Sequence, residues 1–106
     1  MNNTPGQVVI FIEYLRHIGP RTAHGAVRLR FDALRPYSFH ASVQWPENAN
    51  YETAVRESVE TVLMEHMGSL EKVAVVLESI NVDPINSTEQ GFRKAARAAT
   101  EAAFSV

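Results

Sequence analysis

The sequence predicts an α+β fold, a two-layer sandwich of order βββαβα with both helices on one face of a four-stranded sheet. Three observations carry that expectation. Four stretches read as strands, two of them by period-two alternation, apolar residues recur at helical spacing over two others, and Pro, Gly, Asn and Asp cluster at the boundaries between them. The chain is 106 residues long, so residues 1–106 are expected to form a single domain that buries roughly two-thirds of its unfolded surface.

Residues 7–15 (QVVIFIEYL) are β-branched and aromatic and apolar on both faces until Glu13, the pattern of a strand that is central or covered on two sides. Gly19-Pro20 places a turn within residues 16–22. Over 23–34, Val27, Leu29 and Phe31 alternate with Arg28, Arg30 and Asp32, as in a half-exposed second strand. Beyond Arg35-Pro36, the alternation of Tyr37, Phe39, Ala41, Val43 and Trp45 with Ser38, His40, Ser42 and Gln44 predicts a third strand completing an antiparallel meander. Asn50 is placed to cap a helix reaching about Met67. Its apolar stripe is Val55, Val59, Val62, Leu63 and His66, and Gly68 follows its end. Residues 71–82 read as the fourth strand, closed by Asp83-Pro84. Asn86 and Ser87 compete to cap the last helix, with Glu89 and Gln90 at capping-box spacing, and Phe92, Ala95, Ala96, Ala99, Ala102, Ala103 and Phe104 supply its apolar face. Alternation fixes neither the strand order nor the handedness of the crossover.

Composition narrows the function classes. The longest apolar run, Val8 to Ile12, is far shorter than the roughly 18 residues a membrane span needs, and no leader pattern is present, so a soluble cytoplasmic protein is expected. Zero cysteines exclude disulfides, thiolate metal sites and a cysteine nucleophile. No G-x-x-x-x-G-K-[ST] loop occurs, which excludes a phosphate-loop nucleotide site, and no cofactor is expected. The serines lack a G-x-S-x-G elbow and the acidic residues are spread along helices, so no enzyme is expected. His17, His24 and His40 could meet at one end of the meander, but no His pair has metal-ligand spacing and no metal is expected. His66, on the helix stripe, reads as partly buried.

Charge is polarised along the chain. Residues 16–45 carry five arginines against one aspartate, whereas 46–92 carry nine acidic residues against two basic ones. Basic strands and acidic helices can satisfy one another, and the sequence pI near 6.1 is low for a dedicated nucleic-acid binder. Two basic surfaces stand out. Arg28 and Arg30 share the open sheet face with His40, where Glu13 and Glu78 could pair with them. Arg93, Lys94 and Arg97 form a stripe on the last helix, with i,i+4 partners in Glu89 and Glu101. Two adjacent helix N-termini offer free N–H groups, but Glu47, Glu52, Asp83 and Glu89 surround them and read as caps and dipole partners.

The segment DPINSTEQGFRKAA (83–96) resembles the start of the last helix in domain IV of elongation factor G. Asn86, Ser87, Thr88, Glu89, Gly91, Phe92 and Arg93 occupy the matching places. Upstream, GQVVIFIEYLR, AHGAVRLRFDALRP, YSFHASVQW and YETAVRESVETVL resemble that domain's first three strands and first helix in the same order. The resemblance implies the ribosomal-protein-S5-domain-2-like fold with its left-handed crossover, and a role in which such a domain reaches into the ribosomal decoding region. It implies a working tip formed by the loops preceding the two helices, here WPENAN (45–50) and NVDPIN (81–86). Trp45, Asn48, Asn50 and Asp83 thereby join Arg28, Arg30, His40, Arg93, Lys94 and Arg97 as candidate RNA- or partner-binding residues. The first loop lacks the family's paired glycines, and Asp83 stands about where bacterial elongation factors often carry histidine.

Two functions are therefore expected as alternatives. One is a ribosome- or RNA-interaction module; the other is a protein-interaction module, such as a homodimer, using apolar surface on the first strand.

Overall fold

The structure is a computed structural model that describes residues 6–105, with Ile18 through its backbone alone. Strands β1 (Gln7–Ile18), β2 (Arg21–Ala33) and β3 (Ser38–Ala41) precede helix α1 (Glu52–Met67), strand β4 (Val73–Asn81) and helix α2 (Glu89–Ala103). The result is the expected α+β sandwich of order βββαβα, with a mixed four-stranded sheet under two helices.

The sheet order is β1-β2-β4-β3, and this corrects the meander. β2 pairs antiparallel with both β1 and β4, while β3 pairs parallel with the far side of β4. The chain leaves β2 through Leu34 and Arg35, skips a strand position, and returns through α1 to fill the gap with β4. Period-two alternation is blind to such a step, because it reports which way side chains point and not which strand lies alongside. β3 is also shorter than its alternation suggests. After Ala41 only the bond from the Ser42 N–H to the Leu77 carbonyl continues it, and residues 43–45 leave the ladder so that Val43 and Trp45 can pack on the core.

β1 is likewise not central. It is an edge strand, and Val9, Phe11 and Leu15 are 39, 53 and 56% exposed on the face away from the helices. The opposite face of the sheet carries the core. Val27, Leu29, Phe31, Val73, Val75 and Leu77 meet Val55, Val59 and Leu63 of α1 and Phe92, Ala95, Ala96 and Ala99 of α2. Trp45 and Tyr51 close its upper end on Phe92, Trp45 edge-on at 5.2 Å and Tyr51 stacked at 5.1 Å between ring centres. His66 is not on this inner surface. It is exposed, its ring stacked 4.3 Å from that of Phe104.

Two local features set the geometry of the ends. Between Arg28 and Leu29 the β2–β4 register slips, so that Arg28 faces Ser79, Leu29 faces Leu77, and Glu78 is the extra residue of a bulge. At the start of α2 the chain comes backbone to backbone with β2. A Cβ on Gly91 would lie 2.2 Å from the His24 carbonyl oxygen, and one on Gly25 would lie 2.5 Å from the Phe92 nitrogen. Both positions accept hydrogen alone, and that intimacy lets α2 seat on β2.

α1 ends at Gly68, whose left-handed conformation and N–H bond to the Met64 carbonyl close it where the sequence predicts. Its first turn is held by the Asn50 side chain, which accepts from the Glu52 N–H at 3.0 Å. For α2 neither Asn86 nor Ser87 is the cap. Thr88 accepts the Gly91 N–H at 2.9 Å, because the other two side chains are committed to the preceding loop.

Candidate functional site

β1 and β2 pair without interruption from Gln7↔Asp32 to Ile18↔Arg21, but β4 accompanies β2 only from Ala26 onwards. The pairs from Tyr14↔Gly25 to Ile18↔Arg21 therefore form a two-stranded ribbon beyond the end of β4. The loop before α2 bridges Ser87 to His24 and covers its lower part, where Ala23, His24 and Gly25 are buried, and its outer end projects. A rise of ~3.3 Å per residue makes the ribbon roughly 15 Å long. The domain measures 43 × 26 × 25 Å. The turn falls at Gly19-Pro20 as expected, but the strands run up to it, ending at Ile18 and resuming at Arg21 rather than stopping at Leu15 and resuming at Ala23. Gly19, at φ 61°, and Pro20 make a two-residue turn, and Gly at the first central position is what the hairpin twist requires. Arg16 and Arg21 lie diagonally across the ribbon on one face, with His17 on the other, and all three are exposed. No acidic residue lies between Tyr14 and Gly25.

The base of this arm is anchored by a buried histidine. His24 Nδ1 is 2.7 Å from the Ser87 hydroxyl and its Nε2 is 2.8 Å from a Glu13 carboxylate oxygen. Ser87 Oγ also accepts the Asp83 N–H at 2.8 Å, and the Thr88 N–H donates to the His24 carbonyl. A ring with its proton on Nε2 satisfies every member: the hydroxyl donates to Nδ1 and Nε2–H donates to the carboxylate. The trio has the composition of a nucleophilic relay. Its hydroxyl, however, is held from both sides, by the Asp83 N–H and by His24, and its geometry is that of a fastener joining β1, β2 and the loop before α2.

The two loops preceding the helices sit beside the arm and enclose a cleft of about 360 Å³ whose lining includes Glu47, Asn48, Tyr51, Asp83 and Ser87. Asp83 does not face this cleft as a free charge. Its Oδ1 accepts from the Ile85 and Asn86 N–H groups at 2.9 and 3.2 Å, and its Oδ2 from the Asn86 amide at 3.0 Å. Those bonds, the Ile85 N–H first, hold its carboxyl below the ordinary aspartate range. Trp45 is a lid on the core, with Nε1 donating to Glu52 at 3.2 Å; Asn50 accepts the Glu52 N–H, but the N-cap position of α1 belongs to Tyr51, one residue later than the sequence predicts. Asn48 alone of the loop candidates is an exposed side chain lining the cleft.

The remaining candidates divide sharply. Arg30 is clamped between Asp32 at 3.3 Å and Glu78 at 3.1 Å. Arg93 bridges Glu57 and Glu89, bonds that raise its pKa, and Arg97 bridges Glu65 and Glu101. Arg28 is exposed and makes no ion pair among the described residues, because the expected partner Glu13 turns to His24 instead. Lys94 is likewise exposed and without an ion pair among them, and His40 is exposed on β3, opposite Val76. His17 bonds Thr22 at 3.0 Å and His24 is in its relay, so the histidines do not converge; among the described residues no cluster of three potential metal ligands occurs. No described helix is long and apolar enough to cross a membrane.

No family model matches the sequence, and no curated protein matches it either. Among solved structures, a protein of Thermus thermophilus superposes with a TM-score of 0.75 over 91% of this chain at 17% identity. The chain spans 15% of that protein's length. At this identity the likeness establishes the fold.

Proposed function

We propose that this chain is a non-catalytic ribosome- or RNA-interaction module, in keeping with its resemblance to domain IV of elongation factor G. The observation that carries the reading is the projecting arm, an acid-free ribbon with Arg16, His17 and Arg21 exposed. Arginine forks suit phosphate, and a narrow ribbon delivers them into a groove that a flat sheet face could not enter. Arg28 lies on the other face of the sheet, the face of His17, and is free of carboxylates among the described residues, whereas Arg30, Arg93 and Arg97 already hold them. The acidic loops beside the arm orient it, since Glu47 and Asp83 repel a phosphate backbone from the cleft.

Cosedimentation with ribosomes, and binding to ribosomal RNA across a salt series, test the proposal. The expected result is association that weakens steeply with salt. Replacing Arg16 and Arg21 together by Glu should abolish it, and replacing both by Gln should lower the salt slope by about 1.5, at ~0.7–0.9 per phosphate contact. Association that ignores salt, or survives Arg16→Glu with Arg21→Glu, overturns the arm as the contact.

A further inference from the structure

We infer that β1 is a self-association edge, through which two copies of this chain join their sheets into one of eight strands. The inference is independent of the arm's contact with RNA. Edge strands ordinarily carry a device against pairing, such as Pro, a bulge, an exposed Lys or mere brevity. The edge at β3 has brevity, only Ser38–Ala41. β1 has none of these. It runs twelve residues without Pro, Gly or Lys, and its register with β2 has no bulge. No other described backbone group bonds to it.

The register follows from the turn. The hairpin closes on Ile18↔Arg21, so the even-numbered residues of β1 spend their backbone groups on β2 and the odd-numbered ones point theirs outward. The odd-numbered set includes Val9, Phe11 and Leu15, the exposed apolar residues. An antiparallel partner must therefore match odd with odd about a two-fold axis. An axis at Glu13 sets that carboxylate against its own copy, and an axis at Phe11 sets Val9 against the partner's Glu13. With the axis at Ile12, Val9 faces the partner's Leu15, Ile10 faces the partner's Tyr14, and Phe11 faces the partner's Glu13. Arg28, which lies beside Phe11 and has no ion pair among the described residues of its own chain, then reaches across that ring toward the partner's Glu13. The strand is self-complementary in both apolar matching and charge, which favours a second copy over an unrelated strand.

Light scattering on the full chain at about 50 µM, where a micromolar dimer is mostly assembled, should give twice the 11.8 kDa chain mass. Val9→Lys with Leu15→Lys, both at exposed positions, should weaken self-association by at least about tenfold while leaving the circular dichroism unchanged. The register has its own readout because the chain has no cysteine. Across a non-hydrogen-bonded pair the Cα atoms approach to about 4.5 Å, within disulfide reach. Ile12→Cys should therefore cross-link to itself on oxidation and Phe11→Cys should not. A monomer at that concentration, a dimer unaffected by the paired lysines, or self-linking at Phe11→Cys without Ile12→Cys overturns the proposal.

Discussion

The lower and upper halves of β2 obey opposite rules. From Ala26 to Phe31 the strand lies between neighbours on both edges and beneath α2, and Gly25, just before it, meets Gly91–Phe92 with room only for hydrogen. From Arg21 to Thr22 the same strand has one neighbour and stands in solvent. Sequence in the first half is chosen by volume, and in the second by what the side chains can touch outside the molecule. A change at a buried position of the first half therefore reports on folding, and one at Arg21 on contact.

The largest effect is expected where the seam is tightest. Gly91→Val drives a branched side chain into the His24 carbonyl and should cost about 3 kcal/mol or more, enough to leave much of the chain unfolded in a urea titration. Leu29→Ala empties a fully buried site without steric conflict and should lower the unfolding free energy by about 2–4 kcal/mol. At the junction, Ser87→Ala removes the hydroxyl that serves both the Asp83 N–H and His24, and about 1–2 kcal/mol is expected. If the junction also fixes the arm, amide exchange along 21–25 should accelerate more than exchange in α1. Still smaller is the loop beside it. The Asp83 carboxyl titrates below its unfolded value, so its contribution is complete above about pH 4. It fades as pH falls through the lowered folded value, and Asp83→Asn should flatten that part of the acid unfolding profile. Smallest of all, Arg16→Glu with Arg21→Glu should leave the urea midpoint within about 0.5 kcal/mol of the parent, since both side chains are exposed and make no ion pair among the described residues. A large loss of stability there would erase the distinction between the halves.

The packed half was the legible half. Val27, Leu29, Phe31, Val55, Val59, Leu63, Phe92, Ala95 and Ala99 stand inside because periodicity states directly which residues share a face. Neighbour relations were not legible. β1 reads as central because Val8, Ile10 and Ile12 and also Val9 and Phe11 are apolar, and nothing in a one-dimensional pattern separates a strand covered on both faces from an edge with a greasy outer face. The arm was hidden by its own turn. The strands read as 7–15 and 23–34 with the turn at Gly19-Pro20 between them, whereas Arg16, His17, Arg21 and Thr22 continue both strands to the edge of that turn. The available signal was that a first-position glycine suffices for a two-residue hairpin. Arg93 and Arg97 were legible as paired cations because i,i+4 spacing fixes distance on a helix. The histidine partner of Glu13 was not, since His24 and Arg28 flank its register partner Ala26 on the same face and spacing does not choose between them.

The bulge at Glu78 shifts the sheet's reading frame by half a pleat. Before it, Val73, Val75 and Leu77 look toward the helices; after it Ile80 and Val82 do, although their numbers are even. The bulged residue's carboxylate spends itself on Arg30. Deleting that one residue would leave Leu77, Ser79, Ile80 and Asn81 in plain alternation opposite Leu29 to Ala26, with Ile80 and Val82 still turned toward the helices. The loop holding Ser87 would keep its step with His24, and what the shortened strand would lose is the local twist of the bulge and the carboxylate that holds Arg30.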